Sequence, residues 1–190
     1  QMGVRVIDTP EEAGAGDTVI IRSHGVSRDV YRHLEATGAN IVDATCPFVK
    51  RIHKLVAQAE AEGKLPIIIG TPTHPEVEGI AGWCTNCRVF ENVEAMEKWV
   101  KEENVPPDLP VCMVSQTTST EILWKKCVNY AKKQFTYLQK FDTICRATIE
   151  RQSEAKQLAQ SADAMVVVGG LHSANTTALA ALCGSYCPTV

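Results

Sequence analysis

Two cysteines in similar local sequences are the residues best suited to chemistry. Cys46 ends Asp-Ala-Thr-Cys and Cys145 ends Asp-Thr-Ile-Cys, and each precedes a predicted helix. A helix dipole lowers the pKa of a thiol at its first turn, which favours the thiolate form. Thiolates bind zinc, copper(I) and iron–sulfur clusters. A single free cysteine is usually a small buried hydrophobic residue, but the paired placement favours metal ligation here.

The spacing between these cysteines recurs at other polar positions. Cys46 and Cys145 are 99 residues apart (145 − 46). The same spacing relates Gly70 to Gly169, His74 to Ser173 and Glu76 to Asn175. A duplicated unit whose matched positions carry polar side chains predicts one composite site around a pseudo-symmetry axis. The alternative is that all α/β units look alike, but ordinary strand ends do not favour cysteine.

Two short polar loops also match each other. Ser23-His24-Gly-Val-Ser27 follows one apolar run, and Ser115-Gln116-Thr117-Thr118 follows another. Hydroxyl and backbone N–H groups ahead of a helix suit phosphate oxygens. N-capping by a serine or threonine is the simpler interpretation, and both roles are compatible because a cap uses only some of these groups.

His74 and two carboxylates lie on a turn that enters a short predicted helix, in His74-Pro-Glu-Val-Glu-Gly79. His74 can add a hydrogen bond or a charge to a bound anion. Glu76 can act as a proton donor where it is buried. Acidic residues also occur at helix starts simply because they complement the dipole. Glu78 fits that simpler role better than Glu76, whose matched position holds Asn175.

Four further cysteines permit a different function. Cys84 and Cys87 form a Cys-x-x-Cys pair, which with Cys183 and Cys187 would complete a four-thiolate zinc site in a structural protein. A redox pair at Cys84 and Cys87 is another possibility. His172 is a weaker candidate site residue because it adjoins Ser173 in the sequence.

Composition excludes several classes of protein. The 190 residues are 45% hydrophobic and 22% charged, which is normal for a globular domain. The net charge of −3 argues against a nucleic-acid surface. No run of residues is long and apolar enough for a membrane span, and the first residues resemble no secretion signal. The eight cysteines lack a compact disulfide spacing, so we expect reduced thiols in a cytoplasmic protein.

Short apolar runs alternate with amphipathic stretches, which predicts an α/β fold with parallel sheets and helices on both faces. Ligands bind such sheets beyond the carboxyl ends of the strands. His24, Cys46, His74, Gln116, Cys145 and Ser173 each follow a predicted strand. The predicted strands are 4–7, 18–21, 41–42, 66–69, 88–90, 111–114, 164–168 and a start at 187–190. The predicted helices are 28–37, 47–62, 76–82, 93–101, 120–135, 149–160 and 175–182.

The motifs together resemble one enzyme family. Ser-His-Gly-Val-Ser, Asp-Ala-Thr-Cys-Pro, His-Pro-Glu-Val-Glu-Gly, Ser-Gln-Thr-Thr, Ile-Cys-x-Ala-Thr and Ser-x-Asn occur in this order. This ordered set resembles the 4-hydroxy-3-methylbut-2-enyl diphosphate reductases of the non-mevalonate isoprenoid pathway. The resemblance runs from about residue 4 to residue 190. It implies a pseudo-threefold cloverleaf of α/β units around a central 4Fe–4S cluster, and an electron donor such as ferredoxin or flavodoxin.

The resemblance also implies roles for individual residues. Cys46 and Cys145 would be two of the three cysteine ligands of the cluster. Glu76 would deliver the proton that helps the allylic hydroxyl leave as water. The diphosphate and hydroxyl of the substrate would be held by His24, His74, Thr117, Ser173 and Asn175. The family often has a second serine where this chain has Ala174, so one hydroxyl contact differs.

The third cysteine motif of the family, Gly-Phe-Cys-x-Gly, does not occur in this sequence. We therefore expect an internal fragment of the enzyme. It would comprise the remainder of a first α/β unit (1–46), a complete second unit (47–142) and part of a third (143–190). With two of three thiolates, such a chain would hold the cluster poorly and be inactive by itself.

Overall fold

The computed structural model describes residues 3–170 and 173–190, which form two parallel sheets flanked by helices. A 3-10 helix (Pro10–Glu12) precedes the first strand. The strands are β1 (Thr18–Ile21), β2 (Asn40–Asp43), β3 (Leu65–Ile69), β4 (Arg88–Phe90), β5 (Val111–Ser115) and β6 (Leu138–Lys140). The helices are α1 (Arg28–Ala36), α2 (Pro47–Ala61), α3 (Pro75–Ala81), α4 (Val93–Glu102), α5 (Glu121–Gln134), α6 (Arg146–Ala159) and α7 (Ala174–Gly184).

The larger sheet has the strand order β4-β3-β5-β6, with every pair parallel. Its central strands, β3 and β5, pair from Leu65 with Val111 to Ile69 with Ser115. From Pro66 to Ile69 and throughout β5 every residue is buried, as expected for strands covered on both faces. The alternation of side chains sends Ile67 and Ile69 to one face and Ile68 to the other.

Helices cover both faces of this sheet. On one face, Ile67 and Met113 pack with Met96 of α4 and Trp124 of α5. On the other face, Ile68 and Val114 pack with side chains of α2 and α3 (Ile52, Val56, Val77 and Ile80). Each fully buried aliphatic side chain contributes about 1.5–3 kcal/mol to stability. These two layers confirm the predicted α/β class with parallel sheets, and they fix α2 and α3 beside the carboxyl end of β3.

The smaller sheet contains only β1 and β2, which pair in parallel from Thr18 with Asn40 to Ile21 with Asp43. Ile21 and Leu34 of α1 form the centre of its core. The chain leaves β1 toward His24 and leaves β2 toward Cys46, so this sheet positions two of the predicted site residues.

The 99-residue repeat found in the sequence also relates the starts of helices: α2 matches α6, and α3 matches α7. α2 and α6 begin directly after Cys46 and Cys145, and α3 and α7 begin 99 residues apart, at 75 and 174. Ahead of each cysteine an aspartate makes the same turn: Asp43 Oδ1 accepts from Thr45 N at 3.0 Å, and Asp142 Oδ1 accepts from Ile144 N at 3.3 Å. The division into units at residues 46 and 142 stays a prediction, which these matched turns support.

Three predicted strands are wrong, and one strand was missed. Residues 4–7 form no strand, and Val4 and Val6 are 73% and 85% exposed, because no neighbouring strand in the described residues takes up their backbone hydrogen bonds. Residues 164–168 and 187–190 are joined by an isolated parallel bridge, Met165 with Thr189, and three backbone hydrogen bonds, but neither segment forms a strand. The missed strand, β6, has no apolar run and pairs at the sheet edge.

The remaining elements agree with the sequence within a few residues at each end. In the described part of the chain, no helix is long and apolar enough to cross a bilayer.

The close approach of α3 to the loop before α1 predicts a steric effect at Gly82. A Cβ at Gly82 would overlap Ser27 Cβ and lie 2.9 Å from Ser27 Cα, where neither atom can move freely. We expect Gly82→Ala to lower the free energy of unfolding by about 1–3 kcal/mol, measured by urea denaturation. Gly184→Ala is the matched control, because nothing lies within 4 Å of its Cβ position. Equal stabilities of the two variants would contradict this packing.

Candidate functional site

The predicted site residues lie at strand ends and helix starts, on the edge where parallel α/β sheets bind ligands. The chain reaches this edge six times. His24 follows β1, Cys46 follows β2, His74 and Glu76 open α3 after β3, Thr117 follows β5, Cys145 follows β6, and Ser173 and Asn175 open α7.

A buried carboxyl group joins two of these segments. Glu76 is 3% exposed, and both of its oxygens accept hydrogen bonds from Thr117. Thr117 N donates to Oε1 at 2.6 Å and Thr117 Oγ1 donates to Oε2 at 2.6 Å. The Thr117 hydroxyl can also accept, so the same contact suits a protonated carboxyl. Proton transfer between Glu76 and a ligand beside Thr117 is therefore stereochemically feasible.

Two histidine rings meet beside this carboxyl group. The rings of His24 and His74 are 5.5 Å apart in an edge-to-face arrangement. His74 Nδ1 accepts from Glu76 N at 3.1 Å, which leaves Nε2 as the N–H donor of the neutral ring. Burial lowers the pKa of His74, an effect that Glu76 partly opposes and His24 reinforces. His24 Nδ1 is buried without a hydrogen-bond partner among the described residues, so it is available to a ligand.

The two cysteines flank this cluster through backbone hydrogen bonds. Cys46 N donates to the carbonyl of Ser23, next to His24, at 3.0 Å. Cys145 N donates to the carbonyl of Thr117 at 2.9 Å. Both cysteines hold the N-cap position of a helix, yet neither thiol makes the capping hydrogen bond. The two sulfur atoms are partly exposed and unused by the fold, which fits a role as ligands.

These two thiols do not make a complete metal site. Within residues 3–170 and 173–190, no group of three or more histidine, cysteine or acidic side chains is arranged to hold a metal ion. Cys46 and Cys145 can therefore supply only part of the ligand set of a larger metal group.

A cleft of about 640 Å³ opens beside the cluster, between the ends of β3 and β5 and the helix α7. His74 and Gln116 line one side, and Ala174 and Thr177 line the other. Ser173 caps α7 by accepting from Thr176 N at 3.3 Å. Asn175 Oδ1 is buried without a partner in the described part of the chain. The start of α7 thus contributes polar groups and N–H groups beside the cleft.

Gln116 takes a larger part in this edge than the sequence suggested. Its Oε1 accepts from Thr71 N at 3.1 Å, and its Nε2 donates to Thr118 Oγ1 at 2.7 Å. A Cβ at Gly70 would lie 2.8 Å from Gln116 Cβ, so only glycine lets the β3 and β5 loops approach this closely. The side chain of Gln116 is buried and braces the two loops against each other.

His53, a polar residue inside α2, is buried at 4% exposure, although its position in a helix suggested a surface or boundary side chain. Its ring stacks on Trp83 at 5.0 Å, and a Cβ at Gly25 would lie 2.7 Å from it. Gly25 has a φ of +72°, which side-chain-bearing residues rarely adopt. The spacing from Val49 and to Val56, four and three residues, places His53 on the apolar face of α2, a signal that could have identified it. The His53 ring thus packs against Gly25, in the loop that carries His24.

The four-thiolate zinc site proposed from the sequence is not assembled. Cys183 is buried with its thiol 3.9 Å from the carbonyl of Ala155, whereas Cys84 and Cys87 lie near the carbonyl of Ala81. In the described part of the chain, neither cysteine pair belongs to a group of three or more side chains that could hold a metal ion. His172 lies outside the described residues.

Comparison with known proteins identifies close relatives. The family model described as "LytB protein" matches residues 1–190. A 4-hydroxy-3-methylbut-2-enyl diphosphate reductase of Caldanaerobacter subterraneus subsp. tengcongensis is 40% identical over 190 residues, covering 98% of this chain and 64% of the relative. The same-named protein of Alkaliphilus oremlandii is 38% identical, covering 95% of this chain and 63% of the relative. The chain thus spans slightly less than two thirds of these two relatives.

Solved structures are also similar. A structure of (E)-4-hydroxy-3-methyl-but-2-enyl diphosphate reductase, the terminal enzyme of the non-mevalonate pathway, matches with a TM-score of 0.67 and 35% identity, over 96% of this chain and 65% of that one. The E-1-hydroxy-2-methyl-but-2-enyl-4-diphosphate reductase from Plasmodium falciparum matches with a TM-score of 0.89 and 26% identity, over 97% and 58%.

The burial of His53 predicts acid sensitivity of the fold. Burial lowers the pKa of His53 to about 4, whereas the unfolded chain has the ordinary value near 6.5. Between these values the unfolded state binds the proton more tightly, so the free energy of unfolding falls as the pH falls from about 6.5 to 4, by roughly 3 kcal/mol.

We expect His53→Phe, which keeps an aromatic ring on Trp83, to remove this part of the pH dependence in urea denaturation at pH 7 and pH 5. The exposed His33 offers the matched control, His33→Gln, whose pH dependence should equal that of the wild type. If the free energy of unfolding of His53→Phe depends on pH as strongly as that of the wild type, the His53 ring does not become protonated on unfolding.

Proposed function

The chain belongs to the LytB protein family, and we propose that it supplies most of the active site of a reductase. The reaction is reductive removal of the hydroxyl of 4-hydroxy-3-methylbut-2-enyl diphosphate, giving isopentenyl and dimethylallyl diphosphates. The allylic C–O bond breaks, two electrons and two protons are consumed, and water leaves. The names of the relatives and the polar cluster around Glu76 both support this reaction.

The contact between Glu76 and Thr117 carries the proposal. A hydroxyl leaves as water only if it receives a proton, and a buried carboxyl is suited to deliver one. Glu76 makes hydrogen bonds through both oxygens to one residue, so its position is fixed. The Thr117 hydroxyl, in contact with Oε2, can pass a proton to the substrate oxygen or hold that oxygen by a hydrogen bond. Glu78 on the same helix is exposed and has no such contact.

The diphosphate group requires several hydrogen-bond donors, and the cleft beside His74 offers them. The Nε2–H group of His74 and the ring of His24 supply two imidazole contacts. The start of α7 adds the hydroxyl of Ser173 and the side chain of Asn175, together with N–H groups and the positive end of the helix dipole. These groups are held in place by the fold, so binding needs little reorganisation and orients the hydroxyl toward Glu76.

Cys46 and Cys145 are proposed as two ligands of a 4Fe–4S cluster. Their thiols lie at helix starts, have no capping role, and adjoin the segments that carry His24 and Thr117. Such a cluster, when bound, supplies electrons from an external donor protein and a Lewis acid for the hydroxyl. The complete ligand set needs at least one group besides these two thiols.

The proposal predicts that Glu76→Gln abolishes most activity without unfolding the site. A glutamine can still accept from Thr117 N, but it cannot donate a proton to the leaving hydroxyl. We expect kcat to fall by about 100- to 10,000-fold in the full-length protein, assayed anaerobically with reduced methyl viologen and the hydroxylated diphosphate. Affinity for inorganic pyrophosphate, measured by calorimetry, should stay within about 3-fold.

Glu78→Gln is the matched control and should retain wild-type kcat, because Glu78 is exposed on the same helix. Full activity in Glu76→Gln would refute the role of Glu76.

We expect Cys46→Ser to lose bound iron and to retain pyrophosphate binding. Pyrophosphate binding by a wild-type protein that binds no iron would instead indicate a diphosphate-binding module.

The lowered pKa of His74 predicts how pyrophosphate affinity depends on pH. A bound diphosphate favours the imidazolium form and raises the pKa of His74, so binding takes up a proton. The contribution of His74 to affinity is greatest below its pKa in the free protein and disappears as the pH rises above its pKa in the complex.

His74→Asn keeps a capping acceptor and removes the titration. We expect the ratio of wild-type to variant affinity to be roughly 3- to 10-fold larger at pH 6 than at pH 8. Calorimetry in two buffers of different ionisation enthalpy would measure the proton uptake. A ratio independent of pH would show that His74 does not contact the diphosphate.

A further inference from the structure

Cys84 and Cys87 are brought together in a loop that the proposed reaction does not use. The loop lies between α3 and β4, at 82–87. Both thiols lie near the same carbonyl: Cys84 Sγ is 3.4 Å from Ala81 O and Cys87 Sγ is 4.0 Å from it. The two sulfur atoms thus share one acceptor, which holds both thiols at the same end of α3.

One carboxylate holds this loop in shape. Glu60 Oε1 of α2 accepts three hydrogen bonds, from Thr85 N, Thr85 Oγ1 and Asn86 N, each at 2.7 Å. These are the two residues between the cysteines, so the close approach of the thiols does not depend on a bond between them. Thr85 and Asn86 are exposed and both cysteines are partly exposed, so a small molecule can reach the sulfur atoms.

The two thiols differ in acidity, which gives them different chemical roles. The proximity of the two thiols lowers the pKa of Cys87 and raises that of Cys84. Three charged groups face the pair: Glu60 disfavours the thiolates, whereas Arg28 favours that of Cys84 and Arg88 that of Cys87. Only a thiolate attacks a disulfide, so Cys87 is the nucleophile and Cys84 the resolving thiol.

We propose that Cys84 and Cys87 form a redox-active dithiol whose substrate is a low-molecular-weight disulfide of the glutathione type. The Cys87 thiolate attacks one sulfur of the substrate, the substrate S–S bond breaks, and one substrate thiolate leaves. Cys84 then loses its proton and its sulfur attacks Cys87, which expels the second substrate thiolate. Two protein thiols are oxidised to one disulfide and one substrate disulfide is reduced to two thiols.

Trypsin allows this pair to be observed separately from every other cysteine. Cleavage after Lys64 and Arg88 releases residues 65–88, which contain Cys84 and Cys87 and no other cysteine. After incubation of the purified chain with oxidised glutathione, we expect this peptide to lose two hydrogen atoms and to resist alkylation until a reductant is added. The buried Cys112 and Cys127 should stay unmodified before digestion, which shows that the fold is intact.

Single variants test the assigned roles. Cys84→Ser should stop the reaction at a glutathione adduct on Cys87, because no resolving thiol remains. Cys87→Ser should likewise form no disulfide within this peptide, because only one thiol remains.

Three results would overturn the proposal. They are a peptide that keeps both thiols free in oxidised glutathione, a Cys84→Ser variant that forms no adduct on Cys87, and thiols that alkylate only after a chelator has removed a metal. None of these measurements requires reductase activity, so failure here would leave the proposed reaction untouched.

Discussion

The pair of hydrogen bonds between Glu76 and Thr117 joins the loops that follow β3 and β5, and most of the candidate site depends on it. A carboxyl group at 3% exposure is stable only if its oxygens are satisfied, and leaving it unpaired would cost about 1–3 kcal/mol or more. The backbone of Thr117 also accepts from Cys145 N, so the same residue positions a thiol. The Glu76 carboxyl group, the Thr117 hydroxyl and the backbone of Cys145 are thereby held in fixed relation by one residue of a strand-end loop.

Helix α3 extends this constraint to the smaller sheet. Its first turn carries His74 and Glu76 toward β5, and its other end packs on the loop of His24. A Cβ at Gly79 would lie 3.4 Å from the carbonyl of His24, and Gly82 accepts a backbone hydrogen bond from the start of α1 at 3.2 Å. Small residues on this helix let its backbone approach the loop directly. The distance between the two histidine rings is therefore set by backbone packing, which is stiffer than contacts between long side chains.

Much of this arrangement could be predicted from the sequence, because its signals are local. The proline after Cys46 predicted the start of α2, and the apolar run before Gly70 predicted the buried strand β3, each within a residue or two. The repeat singled out Glu76 over Glu78, and Glu76 is the buried one of the two. What failed was non-local: residues 164–168 have the composition of a strand, yet they pair on one side only, through one bridge and three backbone hydrogen bonds to residues 188–190. Nothing in the spacing of Glu76 and Thr117, 41 residues apart, indicates that they touch.

The contacts that assemble the site are mostly made to backbone atoms. Such contacts hold the site residues in defined positions, and they cannot be predicted from the side chains in the sequence. Cys46 is fixed by the carbonyl of Ser23, Cys145 by that of Thr117, and the two central strand-end loops by a backbone bond from Gln116 N to Ile69 O at 2.8 Å. A carbonyl acceptor is present at every residue, so no side-chain pattern marks it. Among the motif side chains, the fold gives no hydrogen-bond partner in the described residues to His24 Nδ1 and Asn175 Oδ1, and no capping bond to the thiols of Cys46 and Cys145. That the fold leaves these polar groups and thiols free is the strongest physical reason to regard this edge as the functional one.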